Sequence, residues 1–238
     1  MQKRILLAGV FLFIPIVSLA ALRPVFTLSS GFANANMRSS TSINFGSFQN
    51  SYVGGSHSDT DFDSGLFLGG EALLLQNWSG QIGLSYFQNS PFVESGTVYQ
   101  FSDPAFNNLN YQYQIISRRI SIDAKLLYAF CQIWHPYLAV SLGEAFNKAY
   151  NYTETPASTA DVSLTPPFGN HTTNAFSYSL GLGIDLDITN HWRLGLGYRF
   201  VDLGSASLGV TPSQIGTHTI SNTPIYVNEV LLRISFLG

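Results

Sequence analysis

Between Phe176 and Ile188 the chain reads F-S-Y-S-L-G-L-G-I-D-L-D-I. Large apolar residues hold every even position: Phe176, Tyr178, Leu180, Leu182, Ile184, Leu186 and Ile188. The odd positions are Ser177, Ser179, Gly181, Gly183, Asp185 and Asp187. A repeat of two puts alternate side chains on opposite faces of a strand, one greasy and one wet. The run exceeds the usual length of about five or six residues. It suits a strand of about 9–11 residues that crosses a bilayer.

The same alternation recurs along the chain. It predicts strands over Val25 to Phe32, Gly65 to Leu75, Gln81 to Gln88, Arg119 to Phe130, Tyr137 to Phe146, Trp192 to Asp202 and Tyr226 to Phe236. With the opening segment these make eight. Three connectors are short: 76–80, 132–135 and 189–191. Four are long and polar: about 33–63, 89–116, 147–175 and 203–224. Short turns at one end and long loops at the other are the layout of an up-and-down outer-membrane barrel. Trp78, Trp134 and Trp192 all fall at the short-turn end, as half of an aromatic girdle would. Two places break the pattern. Tyr111, Tyr113 and Ile115 are odd-phased whereas the strand from Ile120 is even-phased. That predicts a bulge near Ile116, or a segment standing above the bilayer. Glu144 sits on the apolar phase, which predicts either the outer interface or a bulge at Gly143 that turns it inward.

Composition agrees with a membrane strand protein. Charged residues are only 11%, against about 25% in ordinary soluble domains, and aromatics reach 14%. The formal net charge of −3 and the lack of a basic cluster exclude nucleic acid as a partner. Residues 1–20 read as a secretory signal: Lys3 and Arg4, an apolar core from Ile5 to Val17, and Ser18-Leu19-Ala20 as the cleavage site. The expected mature domain is 21–238. Beyond the signal no apolar run of about 18 residues occurs, so any crossing must use strands. The sole cysteine, Cys131, excludes an internal disulfide and reads as a buried or turn thiol.

The wet phase of these strands collects Glu71, Asp123, Asp185, Asp187 and Glu229 with Arg119, Lys125, Arg193, Arg199 and Arg233. A charge on the lipid face at midplane costs about 2–4 kcal/mol, so this phase faces the bore. An eight-stranded barrel has room for side chains but hardly for a water channel. The charges are therefore expected to pair as a structural polar core; the competing reading is a gate or an ion path.

Signal, eight alternating strands, short turns, long loops and a last apolar-phased strand together resemble the small outer-membrane barrels of Gram-negative bacteria, namely the outer-membrane protein A transmembrane domain and the opacity-protein-like surface barrels. The resemblance implies an all-β, eight-stranded antiparallel up-and-down transmembrane barrel in the outer membrane. It implies lipid and lipopolysaccharide as surroundings. It also implies the barrel-assembly machinery as a partner, which reads a C-terminal strand similar to Glu229 through Phe236; Leu237 and Gly238 follow here.

Catalytic and metal signals are weak. Lipid A deacylases carry His-x-Ser-Asn on a strand, whereas His218, Ser221 and Asn222 are one residue too widely spaced and fall in an expected loop. Asp59, Asp61, Asp63 and Gly65 resemble half of a calcium loop, but position twelve is Gly70, so a solvated acidic stretch is expected. His57, His171 and His218 lie in three different loops without ligand spacing. No cofactor, no metal and no enzyme activity are expected. The expected function is a structural surface protein whose loops contact a host or surface ligand. Phe92, Tyr99, Phe101 and Phe106 of the second loop either form an adhesive patch or pack the loop on itself. A narrow porin-like channel and a lipid A or phospholipid enzyme remain as alternatives.

Overall fold

The computed structural model describes residues 22–55, 57–157, 163–222 and 224–238, with backbone alone at 57–59. The signal reading therefore lies outside the described residues, as do the side chains of His57 and Asp59. In chain order the strands are β1 (Arg23–Met37), β2 (Ser40–Asn44), β3 (Gln49–Gly54), β4 (His57–Leu75), β5 (Trp78–Asn89), β6 (Phe92–Tyr99), β7 (Asn107–Tyr128), β8 (Trp134–Pro156), β9 (His171–Asp187), β10 (Trp192–Asp202), β11 (Ala206–Ser207), β12 (Ser221–Asn222) and β13 (Tyr226–Leu237).

Eight of them close a ring in the order β1-β4-β5-β7-β8-β9-β10-β13 and back to β1, every pair antiparallel. The fold is thus an all-β, eight-stranded antiparallel barrel. Closure removes every free edge within the membrane, where an unpaired backbone group has no water to bond. Outward positions such as Leu28, Leu68, Ile82, Ile122, Leu138, Leu180, Leu196 and Leu232 are exposed apolar residues. Trp78, Trp134 and Trp192 are also exposed and mark the short-turn end of this band. Two pack on neighbouring rings, Trp78 on Tyr128 and Trp192 on Phe236. At the opposite end the outward Tyr86, Tyr178 and Tyr198 form an upper aromatic belt. From Tyr128 to Ile120 along β7, a rise of about 3.3 Å per residue and a tilt of about 40° give an apolar band about 20 Å tall.

Above the band the pattern inverts. On β7 the odd phase that carries Lys125, Asp123 and Arg119 inward goes on to carry Ile115, Tyr113, Tyr111 and Leu109 inward, all buried. No bulge lies near Ile116: the pairing of β7 with β8 is unbroken from Gln114 to Leu127. The expected phase break is a change of surroundings. Lipid outside and charges inside give way to water outside and an apolar interior, so the same face of one strand switches chemistry. Glu144 likewise stays outward, because β8 pairs with β9 without interruption from Trp134 to Ala149. It sits opposite Ile120 and Phe176, at the upper edge of the apolar band.

The long connectors are largely strand rather than loop. β1 and β4 run up to Met37 and down from His57, β7 begins at Asn107, and β8 reaches Pro156. β6 continues the line of β5 and pairs with the upper part of β7, with Pro91 between them. A proline donates no ladder hydrogen bond. Ser90 N bonds Phe62 O (2.8 Å), and beyond it β6 leaves β4 and takes β3 as its neighbour. β2 pairs with β3, and Ser39 just before β2 bridges Asn222 of β12. A smaller, nearly closed barrel of β2, β3, β6, the upper β7 to β9, and the β11–β12 pair thus stands on the outer end of the membrane barrel.

Candidate functional site: the bore and the outer tip

The bore holds three tiers of charge. Nearest the short turns, Arg193 of β10 spans Glu71 of β4 (Nη1 to Oε2, 2.7 Å) and Asp187 of β9 (Nε to Oδ1, 2.5 Å). His135 Nε2 meets Asp187 Oδ2 at 2.8 Å, and Gln81 Nε2 donates to Glu71 at 2.6 Å. In the middle tier Lys125 pairs with Asp185, while Asp123 accepts from Ser85 (2.9 Å) and Ser121 (2.7 Å). Lys125 Nζ and the Arg233 guanidinium lie 4.1 and 4.5 Å from the centre of the Tyr137 ring. A cavity of about 60 Å³ sits among Asp123, Lys125, Tyr137, Arg199 and Arg233. In the third tier Glu229 of β13 takes Arg119 (3.0 Å) and Arg199 (2.5 Å), with Asp63 behind them at 3.7 and 3.6 Å. The two guanidinium groups lie 4.7 and 3.8 Å from the Phe87 ring.

All ten charges singled out from the sequence project into the bore. Nine of them enter these tiers through a side-chain hydrogen bond or ion pair, while Arg233 meets the Tyr137 ring and, among the described residues, no carboxylate within 4 Å. Four participants fell outside the sequence reading. Asp63 belongs to the calcium-like stretch expected to be solvated, yet it is 1% exposed because β4 continues upward past it. His135 was placed in a turn, and β8 already begins at Trp134. Phe87 and Tyr137 are aromatic residues on the wet phase. Their signal in the sequence is the set of small residues that make room for them: a side chain at Gly183 or Gly197 would collide with the Tyr137 hydroxyl, and one at Gly65 with the Phe87 ring.

Above the third tier the bore is filled by apolar side chains. Ala33, Ala35, Ala145, Ala149, Val201 and Val227 give way to Met37, Ile43, Tyr52, Phe92, Leu109, Tyr111, Tyr113 and Ile115, all buried. Tyr52 packs edge-on against Tyr111 (5.8 Å) and Phe168 (5.4 Å). The segment expected as a fourth loop folds inward as a cap, with Leu203, Ala206, Leu208, Ile220 and Ile225 buried. Asn147 clasps it by donating to Leu203 O (2.7 Å) and Ser205 O (2.8 Å). Gly204 takes φ +70°, and a Cβ there would press on Ala175. Within this apolar stopper Glu94 accepts from Ser39 (3.0 Å), and burial pushes its carboxyl up to about 7. Burial likewise raises the Tyr52 phenol.

Four phenylalanines lie at the outer tip. Phe45 stacks on Phe48 (5.2 Å), Phe48 meets Phe101 (6.0 Å), and Phe101 meets Phe106 (5.6 Å). Of the second-loop aromatics, Phe92 packs in the core while Phe101 and Phe106 are exposed. The hydrolase-like residues do not assemble. Ser221 lies in β12 opposite Ser207, Asn222 is buried against the Tyr113 hydroxyl, and His218 is exposed in the cap. Among the described residues no group of three His, Cys, Asp or Glu is placed to hold a metal. Cys131 is exposed in the turn after β7.

These features define a class: a transmembrane β-barrel with a packed, charge-paired bore, a lipid-facing belt between aromatic girdles, and a folded outer extension. The chain matches the outer membrane protein β-barrel domain family over residues 10–223 and belongs to it. Its location is the outer membrane of a Gram-negative cell. Among solved structures it is similar to the outer membrane protease OmpT from Escherichia coli, with 7% identity and a TM-score of 0.50, covering 91% of this chain and 97% of that one. It is also similar to Neisserial surface protein A (12% identity, TM-score 0.44, 89% and 96% covered) and to OprG from Pseudomonas aeruginosa (13%, 0.45, 91% and 97%). At such identities the likeness is one of fold. No curated protein matches the sequence.

Proposed function

We propose that the protein is a non-conducting, non-enzymatic surface barrel that presents its outer extension for contact with molecules outside the cell. The observation that carries this reading is the doubly blocked bore: three charge-paired tiers below and a buried core from Met37 to Ile225 above. A barrel of this strand number has little lumen to spare, and here side chains occupy it. The outer extension is built as a rigid platform, since its strands share β7, β8 and β9 with the membrane barrel. In this reading the barrel-assembly machinery inserts the chain through β13, and lipopolysaccharide surrounds the outer leaflet. The test is single-channel recording on the refolded mature chain in planar bilayers, after heat-modifiable gel mobility has verified folding. The expected result is no conductance. Steady conductance that changes with Arg193→Ala would overturn the reading in favour of a path through the tiers.

A further inference from the structure

We propose that the outer tip carries a binding cleft for an uncharged sugar chain; this rests on the surface-contact reading above and names its ligand class. The cleft measures about 360 Å³, at the small end of the usual range of about 300–1,000 Å³ for ligand sites and suited to one or two sugar rings. Its walls are the rings of Phe45, Phe48 and Phe101 together with the polar side chains of Asn50, Gln100 and Thr165.

Two features argue for the ligand. The first is the pairing of aromatic faces with neutral amides and hydroxyls. The electron-rich face of a phenyl ring attracts the polarised C–H groups on one side of a sugar ring, while Asn50, Gln100 and Thr165, each already held by an internal hydrogen bond, keep further donor or acceptor capacity for its hydroxyl groups. Phe101 is 61% exposed and Phe48 37%, so ring surface is open to a ligand. The second is charge. Segments 39–56, 95–102, 163–184 and 203–228 contain no Asp, Glu, Lys or Arg, and among the described residues no charged side chain lines the cleft; Glu154, behind it, is taken up by Thr165 (2.7 Å). A sulfated or phosphorylated glycan would find no cation there to offset its desolvation.

The backbone at Phe101 supports a built site. Phe101 and Ser102 both take φ +57°, a region that non-glycine residues occupy at a cost and that concentrates at ligand clamps. The neighbouring strand holds them in place. Phe101 N donates to Asn50 Oδ1 (3.2 Å), and Ser51 Oγ donates to Ser102 Oγ (2.9 Å). Two residues of β3 thus fix a conformation that turns a phenyl ring outward.

The experiment is calorimetric titration of the full mature chain, refolded in phosphatidylcholine nanodiscs, with maltohexaose, cellohexaose and mannohexaose, and with heparin hexasaccharide as the charged comparison. At least one neutral hexasaccharide binds, and heparin does not. Phe101→Gly removes the ring while relaxing the backbone, and Phe48→Ser removes its neighbour; each weakens binding tenfold or more. Val210→Ser, exposed in the cap outside the cleft, leaves it unchanged. Absence of binding by all three neutral sugars, equal binding of heparin, or full affinity in Phe101→Gly would each overturn the inference. Conductance is recorded on the same preparation: a silent barrel that ignores sugars sinks only this inference, whereas a conducting one sinks the surface-contact reading beneath it.

Discussion

Replacing Glu229 by glutamine tests whether the charge tiers hold the barrel together. Glu229 is 2% exposed and receives Arg119 at 3.0 Å and Arg199 at 2.5 Å. The amide keeps the volume and removes the charge. The tier then contains two guanidinium groups and only Asp63, which stands 3.6–3.7 Å from both. At an effective dielectric of about 20, a unit pair about 4 Å apart interacts by roughly 4 kcal/mol, and breaking a buried pair costs about 3–5 kcal/mol in practice. We expect Glu229→Gln to lower unfolding free energy by about 3–5 kcal/mol on that basis. Urea titration in lipid vesicles reads it through fluorescence of the three girdle tryptophans. Arg199→Gln in the same chain leaves Arg119 facing Asp63 and restores neutrality, so the double variant should recover more than half of the loss. A Glu229→Gln cost below about 1 kcal/mol, or additive effects in the double variant, would refute the argument that these charges stabilise by pairing.

Three further outcomes follow from the geometry. Glu94 stands above the membrane band with its carboxyl raised to about 7 by burial. The unfolded chain ionises near 4.5 and the folded one near 7, so the stability it lends is complete below about pH 4.5 and is lost as pH rises through about 7. Corrected for the intrinsic rise of amide exchange with pH, exchange in β2 and β6 should therefore quicken between about pH 4.5 and 7, and Glu94→Gln should flatten the corrected profile. Gly197→Leu would drive a side chain into the Tyr137 hydroxyl and Arg233; overpacking of this kind costs about 1–3 kcal/mol, read as a lower urea midpoint. Gln132, with φ +63° in the turn before β8, pays for a left-handed backbone, so Gln132→Gly should add about 1 kcal/mol of stability in the same titration.

The membrane halves of the strands are legible in the sequence because lipid imposes one chemistry outside. Leu180, Leu182 and Ile184 cannot face inward while Asp185 and Asp187 face lipid, so phase follows from cost alone. The outer halves are harder to read for the same reason in reverse. Once Gln112 and Gln114 face water, Tyr111 and Tyr113 become interior, and a reader expecting constant phase finds a fault where the strand is continuous. Asp63 suffers most from this. It looks like part of a polar loop because Asp59 and Asp61 precede it, yet it is the last charged rung of the bore. The cap is opaque for another reason: its buried residues Leu208 and Ile220 are isolated among polar neighbours, and they are fixed by their bond to each other (Leu208 N to Ile220 O, 3.0 Å) and by tertiary contact of the adjoining strands with β8, β9 and β2.

The two obstructions in the bore work by different physics, and that separates a stabilising network from a gate. An ion passing the tiers could exchange partners with Arg193, Lys125 or Arg199, so charged side chains alone would form a path if they loosened. The stopper above offers no such exchange: Met37, Ile43, Phe92, Leu109 and Ile115 present hydrocarbon, and its polar groups Glu94, Ser39 and Tyr111 already bond one another. A bare ion there meets a desolvation penalty of tens of kcal/mol in the limiting case. We therefore expect that opening the tiers by mutation removes stability without creating a pore, because the second obstruction stands in series and shares no residue with the first. Evolution of a gate would place its sensor where both could yield together. Here β7, β8 and β9 run continuously past both, and the cap is clasped by Asn147 from the side of the barrel. Side chains thus fill the bore at two levels, and on the proposed reading the outer tip is the surface left for contact.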